Sequence, residues 1–397
     1  MNRRNLVIVL TVLAIFLLSV VVIVVARGYQ LDFKNATLAP TGILVATSDP
    51  DGAEVFVNGK LITATNNTIN LAPGKYLVKI TKDGFTPWEK TVTIKPEEVF
   101  KTSAFLFPNL PELRPITLTG AQNPLLSPDS TKIAYQVASA SAEKNGLWIL
   151  DMARTGLPAG IFASSDSRQI YQTASLLPLT ISQISWSADS KELLASTSSN
   201  LTYLLETDRP NPAPDLLNSA ALSQTLAQWT SLETTRYLTQ TSKLNPILLA
   251  TLATTSGKLQ FSPDENKILY QATASAILPP ILTTYLPGSN PAPETRLTQP
   301  GKYYVYDTKE DKNYLIENCE LKTVNCSWFP SSRHLISFTD HEISIREYDG
   351  TNRAIVYGGP FKPGIVYVWP NWSKIVILTS LNDPGLVSEN LYTINLR

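Results

Sequence analysis

Histidine and methionine are almost missing from this chain of 397 residues, which has two of each, and cysteine is limited to Cys319 and Cys326. Chemistry built on imidazole therefore has little material, and two thiols without other Cys or His at ligand spacing do not make a zinc site. Neither a G-x-S-x-G nucleophile elbow nor a G-x-x-x-x-G-K-S/T phosphate loop occurs, which removes two common catalytic scaffolds. Charge is scarce and balanced: Lys+Arg and Asp+Glu number 33 each and together make 17% of the chain. A nucleic-acid partner calls for a basic excess in the sum or in a patch, and residues 41–107 alone carry seven Lys against seven acids. The expectation is a protein that is not an enzyme, with no cofactor, no metal and no nucleic acid.

What is present is 28 Pro, 18 Gly and one long apolar run. The run, LVIVLTVLAIFLLSVVVIVVA over residues 6–26, has only Thr11 and Ser19 as polar members. As a helix rising 1.5 Å per residue it spans about 30 Å, the hydrocarbon thickness of a bilayer. Arg3 and Arg4 precede it, and Arg27 is soon followed by Asp32. The positive-inside rule places residues 1–5 in the cytoplasm and everything after the run outside. Val24-Val25-Ala26 offers a signal-peptidase pattern as the competing reading, but a cleaved segment has an apolar core of only about 7–15 residues. No Cys follows to carry a lipid. In an oxidising compartment Cys319 and Cys326 become a disulfide candidate.

Residues 27–40 read as a polar stalk. From residue 41 the chain is dense in β-branched residues and punctuated by Asp51-Gly52, Asn58-Gly59, Pro73-Gly74 and Asp83-Gly84. Such pairs mark turns between short strands, predicted over 43–47, 53–57, 68–71, 75–82 and 88–94. Ser48-Asp49-Pro50-Asp51-Gly52-Ala53, Val57-Asn58-Gly59, Leu71-Ala72-Pro73-Gly74-Lys75-Tyr76 and Gly84-Phe85-Thr86-Pro87-Trp88 closely resemble the PEGA domain. The resemblance covers residues 41–107 and implies an extracytoplasmic β-sandwich with a binding or spacer role and no catalytic residues. Ala72-Pro73-Gly74 departs from the tetrapeptide that gives the domain its name but keeps the glycine of the turn. Phe85 and Trp88 read as half-buried sandwich aromatics.

Residues 108–397 contain an internal repeat. Ser127-Pro128-Asp129-Ser130, Ser187-Ala188-Asp189-Ser190 and Ser262-Pro263-Asp264-Glu265 each lead into an apolar strand, as do the degenerate copies Phe329-Pro330-Ser331-Ser332 and Trp369-Pro370-Asn371-Trp372. A second apolar segment follows each copy, as in Leu147-Trp148-Ile149-Leu150-Asp151 and Tyr303-Tyr304-Val305-Tyr306-Asp307. This order resembles the TolB-type, WD40-like β-propeller repeat. The glycine that usually follows the Asp is replaced by Ser130, Ser190, Glu265, Ser332 or Trp372, which leaves the turn type open. The resemblance implies four-stranded blades, and five copies predict five, with six as the alternative if one copy is too degenerate to read. The chain stops after the third strand of the last copy, and residues 114–119 are suited to supply the missing outer strand.

The copies begin at residues 127, 187, 262, 329 and 369, and only the last interval matches a bare blade of about 40 residues. The excess falls at 209–256, where Leu217, Leu222, Leu226, Trp229 and Leu232 predict one or two amphipathic helices, and at 272–301, a Pro-rich arm. Asp129, Asp189 and Asp264 share one repeat position, so each reads as a turn carboxylate that accepts backbone amides. His334 reads as a solvated turn residue, and His341 as a turn residue with no metal role.

The fold class is thus mainly β: a transmembrane helix at 6–26, a stalk at 27–40, a PEGA-like sandwich at 41–107, and a propeller at 108–397 enlarged by a helical insertion. The function expected is a single-pass membrane-anchored binding or scaffold protein of the cell envelope, with the bulk of the chain extracytoplasmic. Its partner would be an envelope protein, a peptide or a cell-wall glycan. Trp229, Pro279, Pro280, Tyr285 and Pro287 are the expected contact residues. The alternatives are a propeller-type hydrolase or lyase and a purely structural spacer.

Overall fold

The computed structural model describes residues 3–26, 29–32, 37–138, 141–153, 167–173, 181–284, 286–317, 319, 325–381 and 389–397. It divides into two compact units, Met1–Phe107 with Leu282–Pro293, and Pro108–Ile281 with Glu294–Arg397.

The first unit opens with helix α1 (Arg3–Ala26). Its two polar residues return their hydroxyls to the helix, Thr11 to the Val7 carbonyl and Ser19 to that of Ile15, both at 2.8 Å. Leu10, Leu13, Phe16 and Leu18 are all exposed. The side chains of α1 are described without a break only over 7–20, and among the described residues no helix is long and apolar enough to cross a membrane. The segment read as a stalk contains a two-stranded ladder, Tyr29–Asp32 with Thr37–Pro40.

Beyond it two sheets share one core. One has the order Asn67–Leu71, Gly42–Asp49, Val99–Phe105; the other runs Lys60–Ala64, Glu54–Val57, Gly74–Thr81, Trp88–Ile94. Alternation puts Leu44 and Ala46 of the first sheet against Val55, Val78, Ile80 and Val92 of the second, all with no exposed surface. Trp88 is buried in the same cluster and Phe85 is packed partly against it. Each such side chain contributes roughly 1.5–3 kcal/mol by leaving water. Asn58 and Gly59 both have positive φ, 49° and 80°, as a tight hairpin turn between Glu54–Val57 and Lys60–Ala64 requires. Two strands escaped the sequence reading. Lys60–Ala64 is an edge with no buried position and so no alternation, and Val99–Phe105 runs parallel to Gly42–Asp49 without a hairpin signal to announce it.

The second unit holds, among the described residues, five four-stranded antiparallel sheets. The first is Gln122–Leu126, Lys132–Val137, Gly146–Asp151, Ser167–Gln172; the second is Ile181–Trp186, Glu192–Thr197, Thr202–Glu206, Asp215–Leu217. The third is Gln260–Phe261, Lys267–Gln271, Tyr303–Asp307, Lys312–Ile316; the fourth is Asn325–Trp328, His334–Phe338, Ile343–Glu347, Ala354–Tyr357. The fifth is assembled from both ends of the unit: Val366–Val368, Lys374–Thr379 and Asn390–Asn395 are completed by Leu113–Pro115, with Leu113 opposite Ile394.

Inner strands are apolar on successive residues because both faces are covered. In the first sheet Ala134, Leu147 and Ile149 pack with Ile184, Trp186 and Leu193 of the second, whereas Ile133, Tyr135 and Val137 pack with Val376 and Leu378 of the fifth. After the second sheet come helices α2 (Ser219–Thr241) and α3 (Pro246–Thr255). Each begins on an asparagine cap: Asn218 Oδ1 accepts from the Ala221 amide at 2.8 Å, and Asn245 Oδ1 from the Ile247 amide at 2.9 Å. Leu248 and Leu252 of α3 pack against Ile268, Tyr270 and Tyr304 of the third sheet.

Candidate functional site

The five repeat turns are the feature from which any site on the second unit is built. All five residues standing where glycine is usual have positive φ: Ser130 59°, Ser190 61°, Glu265 56°, Ser332 58° and Trp372 49°. The turn type is therefore kept without glycine. A left-handed backbone costs an ordinary residue about 1–2 kcal/mol, and three of the five side chains make contacts beyond their own sheet. Ser190 Oγ accepts the Asp129 amide of the first sheet at 3.1 Å, and Ser332 Oγ accepts the Asp264 amide of the third at 3.0 Å. Glu265 instead reaches the helical insertion, accepting from Gln240 Nε2 at 3.0 Å and pairing with Lys243 Nζ at 2.5 Å.

A tryptophan directly before the second and the fourth turn reinforces this arrangement. Trp186 Nε1 of the second sheet donates to the Leu125 carbonyl of the first at 3.0 Å, and Trp328 Nε1 of the fourth sheet donates to the Gln260 carbonyl of the third at 2.9 Å. The fifth sheet is tied to the first by Tyr367, whose hydroxyl donates to the Pro124 carbonyl at 2.8 Å.

The repeated acids are consumed within these turns. Asp129 Oδ1 accepts from Ser127 Oγ at 2.6 Å, the Thr131 amide at 3.0 Å and Thr131 Oγ1 at 2.8 Å. Asp189 takes Ser187 Oγ at 2.7 Å and the Lys191 amide at 3.2 Å; Asp264 takes Ser262 Oγ at 2.6 Å and the Asn266 amide at 3.2 Å. Burial pushes the Asp129 and Asp264 carboxyls up, but the hydrogen bonds outweigh it and both titrate below the ordinary aspartate value. Carboxylates used as acceptors for their own turns are structural, as their repetition implies.

His334 corrects the sequence reading. It is buried, its Nδ1 lies 2.9 Å from Ser331 Oγ, and its ring meets Phe329 edge-on with centroids 6.0 Å apart. The same repeat position carries Lys132, Glu192, Lys267 and Lys374, residue types that ordinarily face solvent, yet Lys267 is itself buried beneath the Tyr348 ring, 4.8 Å from its centroid. His341 is exposed. Among the described residues no three His, Cys, Asp or Glu side chains converge on a metal position. Cys319 and Cys326 are joined in a disulfide.

The expected contact residues fall in different settings. Trp229 is buried: α2 turns inward the face carrying Leu222, Thr225 and Trp229, leaving Leu226 and Leu232 exposed, so a single stripe through all of them does not exist. Pro279 is half-buried and Pro280 exposed in the second unit, Pro287 is exposed in the first unit, and Tyr285 lies outside the described residues. The arm thus divides. Its root stays in the second unit, where Ala276–Ile277 pairs with Leu297–Thr298 and buried Asp311 gathers three donors: the Ile281 amide at 2.6 Å, Arg296 Nη1 at 3.1 Å, and the Tyr306 hydroxyl. Burial, together with this carboxylate, keeps Tyr306 protonated well above the ordinary phenol value. The middle of the arm belongs to the first unit, where the Gly288 amide donates to the Glu98 carboxylate. Nothing in the amino-acid sequence marked Asp311 or Glu98 as partners of the arm.

The comparisons with known proteins bear on the two units unequally. A family model described as the PEGA domain matches residues 41–109, the sandwich of the first unit. No curated protein matches the chain. Among solved structures, TolB from Acinetobacter baumannii aligns at 12% identity over 81% of this chain and 60% of its own, with a TM-score of 0.23. A TolB candidate from Agrobacterium tumefaciens aligns at 12% identity over 78% and 81%, with a TM-score of 0.21. The chain thus spans about three-fifths of the length of the Acinetobacter protein. Superpositions this loose carry no weight for the second unit, whose architecture rests on its strand pairing, whereas the sandwich is similar to the PEGA domain along its whole length.

Proposed function

We propose that the protein is a binding or scaffold protein of the cell envelope, held in the membrane by residues 6–26 and presenting a PEGA-type sandwich and a five-bladed β-propeller outside. The observation that carries this reading is the PEGA match over residues 41–109 directly downstream of an apolar helix. Support for the propeller comes from five like sheets and from Leu113–Pro115 completing the last of them. A ring held by a strand from each end of its own sequence resists opening. The repeated acids are committed to turns and offer no pair of carboxyls for acid–base work, which favours recognition over hydrolysis. Pro280 and Pro287 remain candidate contacts; Trp229 does not.

The experiment is topological. Asp83 is exposed, so cells expressing the full chain as D83C are treated with a membrane-impermeant maleimide and then fractionated. The expected result is labelling of intact cells and retention in the membrane after carbonate washing, with release once residues 1–27 are removed. Labelling only after lysis, or an unchanged distribution without residues 1–27, overturns the reading.

A further inference from the structure

Gln136 and Gln271 occupy the same place in two sheets. Lys132 pairs with Asp151 in the first sheet and Lys267 with Asp307 in the third, so four residues further on Gln136 faces Leu147 and Gln271 faces Tyr303. In the third sheet the glutamine is satisfied: Gln271 Nε2 donates to the Gly301 carbonyl at 3.2 Å. The matching carbonyl in the first sheet is that of Asn145, and it is already taken by Gln169 Nε2 at 3.1 Å and by the Thr173 amide at 2.9 Å. A carbonyl oxygen has two lone pairs. Gln136 is consequently left over: it is 9% exposed, and its Nε2 is shut from solvent without a hydrogen-bond partner.

The same residue lines a cavity of about 300 Å³ where the first sheet meets the start of the second. Gln122, Asn145 and Thr173 add polar groups, Val137 and Ile181 add apolar surface, and among the described residues no lining residue is charged. The volume stands at the lower end of small-ligand pockets, which run about 300–1,000 Å³. A buried polar group without a partner is rare enough in folded proteins to call for a cause. Among the described residues no hydrogen bond holds the Gln136 Nε2, so the amide is free to turn about its broad terminal torsion and present its donors to the cavity.

We propose that this cavity binds a neutral sugar, with the Gln136 amide donating to a ring hydroxyl. Sugar hydroxyls both donate and accept, as do the side-chain amides and the threonine hydroxyl here, while Val137 and Ile181 suit the C–H face of a ring. An anionic or cationic ligand would enter without a countercharge. A peptide in extended form would call for a free row of backbone groups, whereas Gln136, Val137 and Gly146 lie on inner strands of the first sheet that already pair with each other. The site rests on the reading of the second unit as an extracytoplasmic binding module and names its ligand class.

The test uses the full chain in a sugar-free detergent, with methyl β-glucopyranoside and N-acetylglucosamine as probes, followed by saturation-transfer NMR and titration. Glucuronate and triglycine amide are the charged and peptide comparisons. A saturable signal from a neutral sugar is expected, weakened at least tenfold in Q136L and unchanged in Q271L. Leucine suits the position, since Leu378 occupies it in the fifth sheet. Should Q136L not fold, Q136M removes the amide at similar length. Equal binding by the variant, a stronger signal from glucuronate or triglycine amide, or no signal from either neutral sugar overturns the site. If the sugar site fails while D83C labelling and membrane retention hold, the envelope reading stands without it.

Discussion

The backbone amide of Asp129 donates to Ser190 Oγ at 3.1 Å, from the turn of one sheet to the turn of the next. Ser190 has no exposed surface and a φ of 61°, so its hydroxyl offsets a backbone conformation that glycine would adopt more easily. Replacing it separates the two effects. S190A leaves the Asp129 amide without its partner and keeps a Cβ in the left-handed region; a buried donor left unmade costs about 1–3 kcal/mol. S190G loses the same bond but relieves the backbone. Urea unfolding should therefore rank wild type above S190G and S190G above S190A. An S190A variant as stable as wild type would show that the bridge contributes nothing.

Acid should weaken the second unit through the same turns. The Asp129 and Asp264 carboxyls titrate below the ordinary aspartate value, because hydrogen bonds to the ionised form outweigh burial. The folded state thus binds these protons less readily than the unfolded chain. Their stabilisation is complete above the unfolded value, near pH 4, and disappears as pH falls through the lowered folded values. D129N and D264N should flatten that acid limb while costing little at neutral pH. Asparagine is already used this way in the fifth sheet, where Asn371 Oδ1 accepts the Ser373 amide at 3.1 Å and its hydroxyl at 2.6 Å. Unfolding midpoints of the double variant that track wild type from pH 5 to pH 2 would assign the acid sensitivity elsewhere.

The parts that could be read in advance are those governed by local rules. Alternation and turn residues located most strands of the sandwich, and the repeat located the inner strands of all five sheets. The shortage of an outer strand after Asn390–Asn395 pointed to the segment that fills it. What escaped depends on which side chains meet across elements. Trp186 and Trp328 stand just before the second and fourth turns, the two turns whose left-handed serines bridge to a neighbouring sheet. That joint occurrence was visible but has meaning only once the sheets are adjacent. His334 and Trp229 failed for the same reason: a polar turn and a helical spacing say which residues share a side, not what covers it. Gln136 is the sharpest case, since its missing partner follows from Gln169 having taken the Asn145 carbonyl first.

Asp311 should control whether the arm keeps its root. One carboxylate oxygen accepts the Ile281 amide at 2.6 Å and the other Arg296 Nη1 at 3.1 Å, so residues 281 and 296, on either side of the arm, are pinned to one buried group. Arg296 is further held by the Pro279 carbonyl at 3.2 Å. D311A removes the acceptor and leaves a half-buried guanidinium and a buried phenol without it. Breaking a buried pair on one side costs about 3–5 kcal/mol, an upper bound here because the arginine keeps some contact with water. D311N tolerates the left-handed backbone at this position, φ 53°, and still accepts one bond, so it should lose less. Trypsin reports the local effect directly. Cleavage after Arg296 should accelerate in D311A, less so in D311N. Equal cleavage rates in all three proteins would mean that the paired strands Ala276–Ile277 and Leu297–Thr298 hold the root unaided.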